Sequence, residues 1–234
     1  MLTFLLKLLP YLSKLYWFFF QLSVKYSKEV LCLTMYGKFS FMLINYINSV
    51  LPGKDSIELE EIKYGLDIII SFFIKIVLIF FIGFILGVTP YLIAAVVSLA
   101  SIKPFAGGVH AKNDLQCFIL SSVIIFSIIY LSLFLNITII YKIIIYVYSF
   151  IMLIINAPAD TEEKPYVNKN LRKRLKVLSC FVSVIMFAAA VLLEGVVGNI
   201  IILSLFMSSL FTTPTVYKLM GRRYRNYENY KVFE

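Results

Sequence analysis

The sequence predicts an all-α integral membrane protein, with about six transmembrane helices preceded by amphipathic interfacial helices. Of its 234 residues, 61% are hydrophobic, and the mean hydropathy of +0.90 is far above that of a soluble domain. Residues 115–141 carry no charge over 27 positions, enough to cross a bilayer. The net charge of +9 comes from basic residues between apolar runs. Contact with the lipid bilayer therefore explains this charge, and we expect no binding to nucleic acid.

The N-terminal region, residues 1–64, is predicted to be helical and interfacial. Residues 1–34 mix lysines with Leu, Phe, Tyr and Trp, and no small-residue cleavage site follows, so we expect a basic surface helix. Because Met35 could also start the chain, this segment is either functional or an upstream extension. Residues 39–50 show helical periodicity, and Asp55 with Glu58 forms a capping box for a further short helix.

Six apolar stretches are predicted to cross the membrane in the domain formed by residues 65–217. Breaks are expected at Thr89-Pro90, at residues 136–138 and at Glu194-Gly195, because these positions interrupt runs too long for one crossing. The crossings are residues 68–88, 91–102, 115–135, 139–159, 177–193 and 196–213. Polar loops are expected over residues 103–117 and 156–176, and residues 218–234 are expected to form a basic cytoplasmic tail.

The distribution of basic residues predicts the orientation in the membrane. The loop 156–176 holds six basic residues and the chain after Thr213 holds five, whereas the connections at Thr89-Pro90 and residues 136–138 hold none. Since cytoplasmic loops carry an excess of Lys and Arg, both termini and the loop 103–117 are expected on the cytoplasmic side.

The loop 103–117 carries the candidate chemistry, because it contains the only histidine, His110, and one of three cysteines, Cys117. A thiolate is a strong nucleophile, and an imidazole within hydrogen-bond reach can take its proton. Gly107 and Gly108 could bring a substrate backbone close or offer N–H groups to an oxyanion. No C-x-x-C motif accompanies the single histidine. Neither a disulfide framework nor a zinc site is therefore expected, and no cofactor.

Geometry requires the chain to bend between His110 and Cys117. In a continuous helix they would lie on one face but two turns, roughly 10 Å, apart, too far for a hydrogen bond. Asn113 and Asp114 are good capping residues, so a new helix is predicted near Asp114 with Cys117 in its first turns, where the helix N-terminus favours a thiolate. The plainer alternative is a hydrogen-bonded histidine and an inert buried thiol.

At this point the sequence resembles the accessory gene regulator B (AgrB) family, membrane cysteine endopeptidases of Gram-positive quorum sensing. The resemblance rests on Ala106-Gly107-Gly108-Val109-His110-Ala111 followed by Cys117, and on Asn156-Ala157-Pro158-Ala159-Asp160-Thr161-Glu162-Glu163-Lys164-Pro165 with the basic run after it. It implies that His110 and Cys117 are the catalytic pair and that Gly108 matches the family's glycine. Lys103 stands where the family often has arginine, and only Lys164 matches a lysine cluster of some members.

The resemblance also implies the substrate and the steps. The substrate is a precursor peptide (AgrD-like) with an amphipathic leader, a central signal segment and an acidic C-terminal tail. Cys117 would release the tail through a peptidyl thioester, and an internal Cys or Ser of the precursor would close a thiolactone or lactone ring. Residues expected to bind substrate are Lys103, Lys164, Arg172, Lys173 and Arg174. Asp114 and Gln116 are candidates to orient His110, and a homodimer is expected from the family.

Two other classes of protein remain compatible with the sequence. One is a small polytopic transporter or peptide exporter in which the single histidine gates a polar path, and the other is a non-catalytic membrane scaffold. The sequence does not identify the signal peptide or the type of ring, nor does it say whether the product is also exported.

Overall fold

The computed structural model describes Met42 and residues 56–111, 114–162 and 164–230. Within these ranges the secondary structure is helical, apart from an isolated parallel bridge between Gly107 and Ala159. The chain divides into two units, residues 1–82 with 112–119 and residues 83–111 with 120–234. The predicted interfacial helices over residues 1–34 and 39–50 lie outside the described residues, Met42 excepted.

Seven α-helices and one short 3-10 helix can be given bounds in the described ranges. They are α1 Ser56–Ile85, α2 Thr89–Ala106, α3 Asp114–Phe134, α4 Ile139–Asn156, α5 Lys169–Leu192, α6 Val196–Leu210, α7 Pro214–Leu219 and the 3-10 helix Asn226–Asn229. The described part of the first unit consists of Met42, residues 56–82 of α1 and residues 114–119 of α3, and the other described residues belong to the second unit.

The first apolar helices are longer than the sequence predicted. Helix α1 is continuous from Ser56, where we expected a short surface helix followed by a separate crossing. The predicted turn at Thr89-Pro90 lies earlier, at Gly87, because proline is favoured in the first turn of a helix and here begins α2.

Helix α2 continues through Lys103 and Pro104, although the sequence predicts a loop there. Pro104 lies inside the helix, where its missing N–H removes one helical hydrogen bond at a cost in stability. Burial of Ile102 and Ala106, both 0% exposed, keeps this turn packed.

Two predicted features of the middle of the chain have clear outcomes. The break at residues 136–138 is confirmed, since α3 ends at Phe134 and α4 begins at Ile139. The basic residues from Lys169 onward were predicted to lie in a loop and are instead the first two turns of α5. The reason is a cap: the side chain of Asn168 accepts hydrogen bonds from the N–H groups of Asn170 (2.8 Å) and Leu171 (3.1 Å).

Helix α6 lies at the centre of the second unit and packs against α2, α4 and α5. Its side chains are buried on every side, and Ile200, Ile202 and Leu205 are 0% exposed. Helices α4 and α5 are also joined by a buried cation, because Lys142 Nζ donates a hydrogen bond of 2.7 Å to the carbonyl oxygen of Ala190. A charge buried in an apolar bundle requires such a partner.

Four helices in the described residues are long and apolar enough to cross a membrane: α2, residues 115–134 of α3, α4 and α5. Helix α6 and residues 69–85 of α1 are apolar but shorter. Large apolar side chains on α4 and α5 are exposed, as Ile140 and Val177 illustrate. Such exposure would be costly in water and is expected in lipid. These features are those of a membrane protein, and the number of six crossings stays a prediction.

Candidate active site

Residues 107–111 leave the end of α2 as a short extended segment that is held from two sides. The N–H of Gly108 donates to the carbonyl oxygen of Ala159 (3.0 Å), and the N–H of Ala159 donates to that of Ala106 (2.9 Å). The N–H of Val109 donates to the carbonyl oxygen of Phe211, just after α6, at 3.0 Å. The backbone that leads to His110 is therefore fixed by the loop after α4 and by the end of α6.

Glycine is required at positions 107 and 108 of this segment, because the backbones of Ala159 and Phe211 lie close to where a Cβ would be. Gly107 has φ +69°, and a Cβ there would lie 2.1 Å from the carbonyl oxygen of Ala159. Gly108 has φ +132°, and its Cβ would lie 3.2 Å from that of Phe211. The N–H of Gly107 donates a hydrogen bond to the carbonyl oxygen of Lys103, and the N–H of Gly108 donates one to the carbonyl oxygen of Ala159. An oxyanion role for either glycine would require these bonds to open.

The second sequence motif forms the loop after α4, and its centre is the buried residue Asp160, which is 2% exposed. One carboxylate oxygen accepts a hydrogen bond from the N–H of Asn226 (3.0 Å), and the other accepts one from the N–H of Tyr227 (2.7 Å). Earlier in the motif, Asn156 accepts a hydrogen bond from the hydroxyl of Tyr224 at 2.9 Å. This motif is therefore the surface on which the C-terminal part of the chain docks.

Tyr217 joins the same centre from α7. Its hydroxyl donates to the carbonyl oxygen of Asp160, and its ring packs in a small apolar cluster with Val109 and Ala159. Burial raises the pKa of Tyr217 well above its ordinary range, and the nearby carboxylate of Asp160 raises it further. Burial likewise raises the pKa of Tyr166, again with Asp160 contributing.

The C-terminal residues make a direct contact with the histidine segment through Arg222. Its guanidinium donates to the carbonyl oxygens of His110 and Ala111, both at 3.3 Å, and to Glu162 at 3.2 Å. Glu162 also accepts a hydrogen bond from the N–H of Arg223 at 3.0 Å. The segment that the sequence predicts as a basic tail is thus bonded into the fold between Arg222 and Tyr227. We call residues 217–230 the C-terminal segment.

The predicted catalytic residues are each placed within their own unit. The side chain of His110 is exposed at the end of the segment just described. Cys117 lies in the first turn of α3, which begins at Asp114 as predicted, and is partly buried and in no disulfide. Gln116 is partly buried beside it in sequence. His110 belongs to the second unit and Cys117 to the first, so the meeting of their side chains stays a prediction, as does the orienting role of Asp114 and Gln116.

A basic cavity of about 480 Å³ lies between the start of α5, the loop at residues 156–160 and the C-terminal segment. The cationic side chains that line it are Lys169, Arg172, Lys173, Lys176 and Arg225. Arg172 is fixed by two contacts: it donates to the carbonyl oxygen of Tyr166 (3.1 Å), and its guanidinium lies 3.9 Å from the centre of the Tyr227 ring. Among the described residues, the acid in the lining is Asp160, which already accepts two backbone hydrogen bonds.

Of the five residues predicted to bind substrate, the cavity brings together two, Arg172 and Lys173. Lys164 and Arg174 do not line it. Lys103 lies elsewhere, at the end of α2, with its ammonium 4.9 Å from the centre of the Phe211 ring.

Sequence reasoning missed Asp160, Tyr217 and Arg222 as parts of the site. A signal was present, because the residues after Thr213 contain tyrosines among the basic residues, a composition that is unusual for a solvated tail. Asp160 lay within the quoted motif, but its partners are 66 and 67 residues away along the chain.

In the described ranges the fold and the site are those of a helical membrane protein, in which residues 107–111, residues 156–162 and the C-terminal segment meet at the ends of apolar helices. The family model described as accessory gene regulator B matches residues 40–213, and the chain belongs to this family. Membership supports a part in quorum-sensing peptide processing, with a precursor peptide as partner and a location in the membrane.

Curated relatives carry the same family name. An AgrB-like protein of Clostridium acetobutylicum is 27% identical over 178 residues, covering 76% of this chain and 85% of that protein. An AgrB-like protein of Listeria monocytogenes is 29% identical over 174 residues, covering 73% and 84%. AgrB-like protein 1 of Clostridium perfringens is 33% identical over 129 residues, covering 55% and 69%. No solved structure matches the chain.

Proposed function

We propose that the chain is a membrane cysteine endopeptidase that removes the acidic C-terminal tail of a quorum-sensing precursor peptide and promotes closure of the remaining peptide into a ring. The observation that supports this most directly is the position of Cys117 in the first turn of α3, within the family's matched region and seven residues after His110. Unpaired backbone N–H groups at a helix N-terminus stabilise negative charge, which suits a thiolate nucleophile.

The proposed reaction proceeds in two acyl transfers. The Cys117 thiolate attacks the carbonyl carbon at the end of the signal segment, the C–N bond breaks, and the leaving amine takes a proton from the His110 imidazolium. A thioester on Cys117 remains. An internal thiol or hydroxyl of the precursor then loses its proton to His110 and attacks this thioester, so that the ring closes and the Cys117 thiolate leaves. The thioester keeps the acyl group activated for the second step.

The basic cavity is the proposed dock for the acidic tail of the precursor. Within the described ranges no ion pair joins Lys173 or Lys176 to a carboxylate, so their charges are available to an anionic peptide. Carboxylates entering the cavity would also meet the fixed guanidinium of Arg172. Substrate binding by Lys103, Lys164 and Arg174 stays a prediction from the sequence.

The orientation follows the charge distribution: the proposal places both termini, His110 and Cys117 on the cytoplasmic side of the bacterial cell membrane. A homodimer is proposed from the family alone.

The test of the protease is tail release from a synthetic precursor by the purified full-length chain. Cys117→Ser and His110→Ala should each lower the rate at least about 100-fold, while Cys180→Ser, the matched control in α5, should leave it unchanged. If Cys117→Ser releases the tail as fast as the wild type, the protease is refuted. If that variant still carries labelled peptide across vesicle membranes, the transporter is favoured.

The test of the dock compares neighbouring residues of α5. Lys173→Gln removes a charge that lines the cavity, whereas Arg174→Gln removes one that does not. We expect Lys173→Gln to raise KM about 2- to 5-fold, the range of one exposed ion pair, and Arg174→Gln to change it less. Added salt should weaken wild-type binding more than that of Lys173→Gln, because salt screens exposed charges. Equal KM values for both variants would refute the dock.

A further inference from the structure

Arg222 lies in the C-terminal segment and contacts the extended segment 107–111, which carries His110. Its side chain is 12% exposed, and its guanidinium donates three hydrogen bonds to described residues. Nε donates to the carbonyl oxygen of His110 and Nη2 to that of Ala111, each at 3.3 Å, while Nη1 donates to Glu162 at 3.2 Å. The first two acceptors are consecutive backbone carbonyls, so Arg222 contacts the main chain of His110 and leaves the imidazole to other partners.

Arg222 is itself held in place from both sides along the chain. Five residues before it, Tyr217 is anchored on the carbonyl oxygen of Asp160. Four and five residues after it, the N–H groups of Asn226 and Tyr227 are anchored on the Asp160 carboxylate. Because both ends of this stretch are anchored, its backbone has little freedom. The Arg222 guanidinium is therefore held at a fixed position beside residues 107–111.

Glu162 completes the arrangement on the far side of the guanidinium. One of its oxygens accepts the bond from Arg222, and the other accepts the N–H of Arg223 at 3.0 Å. The carboxylate therefore aligns the fork of the guanidinium toward the two carbonyls. A lysine offers one point of charge and lacks the planar set of donors that reaches three acceptors at once.

We propose that Arg222 is a positioning residue for His110: it fixes the backbone of His110 and Ala111, so that the C-terminal segment determines where the imidazole is presented. Arg222 acts through the main chain and touches no reacting atom. The inference rests on the proposed function, because it assumes that the place of the imidazole matters for acyl transfer. Misplacing a catalytic group by about 1 Å can lower a rate about 100-fold.

The experiment uses full-length protein and three variants: Arg222→Gln, Arg222→Lys and Arg223→Gln. Arg223→Gln is the matched control, because it removes the same charge from an exposed side chain at the next position. For tail release we expect Arg222→Gln to lower kcat about 10- to 100-fold with KM changed less than about 3-fold. Arg222→Lys should recover part of kcat, and Arg223→Gln should stay within about 2-fold of wild type. If Arg222→Gln and Arg223→Gln have equal kcat, the inference is overturned.

A second measurement is independent of activity. Hydrogen exchange of backbone amides in peptides covering residues 107–111 should be about 10-fold faster in Arg222→Gln than in wild type and unchanged in Arg223→Gln, because bonds to a charged group are lost only in the former. If Arg222→Gln does not accumulate, Glu162→Gln replaces it. That variant keeps the arginine, removes the negative charge that aligns it, and should speed exchange about 3- to 10-fold.

The two measurements separate the failure of this inference from that of the proposed function. If the wild-type protein releases no tail from any acidic precursor, the proposed protease function is refuted, and hydrogen exchange alone then decides whether Arg222 fixes residues 107–111. If the wild-type protein releases the tail and hydrogen exchange is the same in all variants, only the positioning role of Arg222 is refuted.

Discussion

Replacement of Asp160 by asparagine tests the anchor of the C-terminal segment. The wild-type carboxylate offers one oxygen to each of two backbone N–H groups, those of Asn226 at 3.0 Å and Tyr227 at 2.7 Å. An asparagine of the same shape has one oxygen, and its NH₂ group must face the other N–H. One donor is then left unsatisfied in a place where the side chain is 2% exposed.

The expected cost follows from the two bonds. A hydrogen bond to a charged group contributes about 1.5–3 kcal/mol, and a neutral one about 0.5–1.5 kcal/mol. Asp160→Asn loses one charged bond and weakens the other, so docking of the C-terminal segment should lose about 2.5–4 kcal/mol. Since 1.4 kcal/mol is a factor of ten, the undocked population should rise about 60- to 700-fold.

Limited digestion with trypsin measures this population, because Arg223 and Arg225 lie in the docked segment and become substrates when it opens. When opening and closing are fast, the cleavage rate follows the fraction that is open. The rate at these arginines should therefore rise by the factor above in Asp160→Asn, while cleavage elsewhere in the chain serves as the internal reference.

The matched control is Glu228→Gln. Its carboxylate is exposed and pairs with Arg225 at 3.5 Å, so its loss should change the cleavage rate less than about 5-fold. The reasoning is refuted if Asp160→Asn and Glu228→Gln are cleaved at the same rate, since the buried carboxylate would then contribute no more than a surface ion pair.

Three further predictions concern contacts of the same region. Gly107→Ala should lower stability by at least about 2 kcal/mol more than Gly87→Ala. Both residues have nearly the same positive φ (+69° and +68°), but a Cβ at Gly107 would meet the backbone of Ala159, whereas a Cβ at Gly87 would meet no described atom within 4 Å outside its chain neighbours. Equal thermal midpoints in detergent would contradict this. Tyr217→Phe should cost about 1–2 kcal/mol through the lost bond to Asp160, seen as a lower thermal midpoint, and an unchanged midpoint would argue against that bond. The folded-state pKa of Tyr217 is raised. The contribution of its hydroxyl to folding stability is therefore complete below the ordinary tyrosine pKa of about 10, and it is lost as pH rises through the folded-state pKa. In thermal melts above pH 10, the wild type should lose more stability than Tyr217→Phe.

The class of fold and several helix ends could be predicted from local sequence. A long apolar run predicts a membrane-spanning helix whatever other helices it packs against. The polar break at residues 136–138 interrupts such a run and therefore marks the end of one helix. Asp114 was identified as a helix start because capping depends on residues that are adjacent in the chain. Helix α2 was predicted too short because Lys103 and Pro104 suggest a loop on their own, whereas the burial of Ile102 and Ala106 depends on other helices.

The candidate site was predicted only in the part that is local. His110, Cys117 and the two glycines were selected by residue type and spacing, and the glycines do have a special backbone role. Their partners could not be predicted from spacing, because Arg222 is 112 residues from His110 and Tyr217 is 57 residues from Asp160. The basic residues 169–176 were identified by charge, but which of them share a cavity depends on the face of a helix that had been predicted as a loop.

The most direct measurement is mass spectrometry of the purified protein after reaction with a synthetic precursor whose internal Cys or Ser is replaced by alanine. Without that nucleophile the second acyl transfer is slow, so the peptide should accumulate as a thioester on Cys117, and the free acidic tail should appear in equal amount. Cys117→Ser should give neither product. Release of the tail by Cys117→Ser, or an adduct on Cys32 or Cys180 in place of Cys117, would contradict the account.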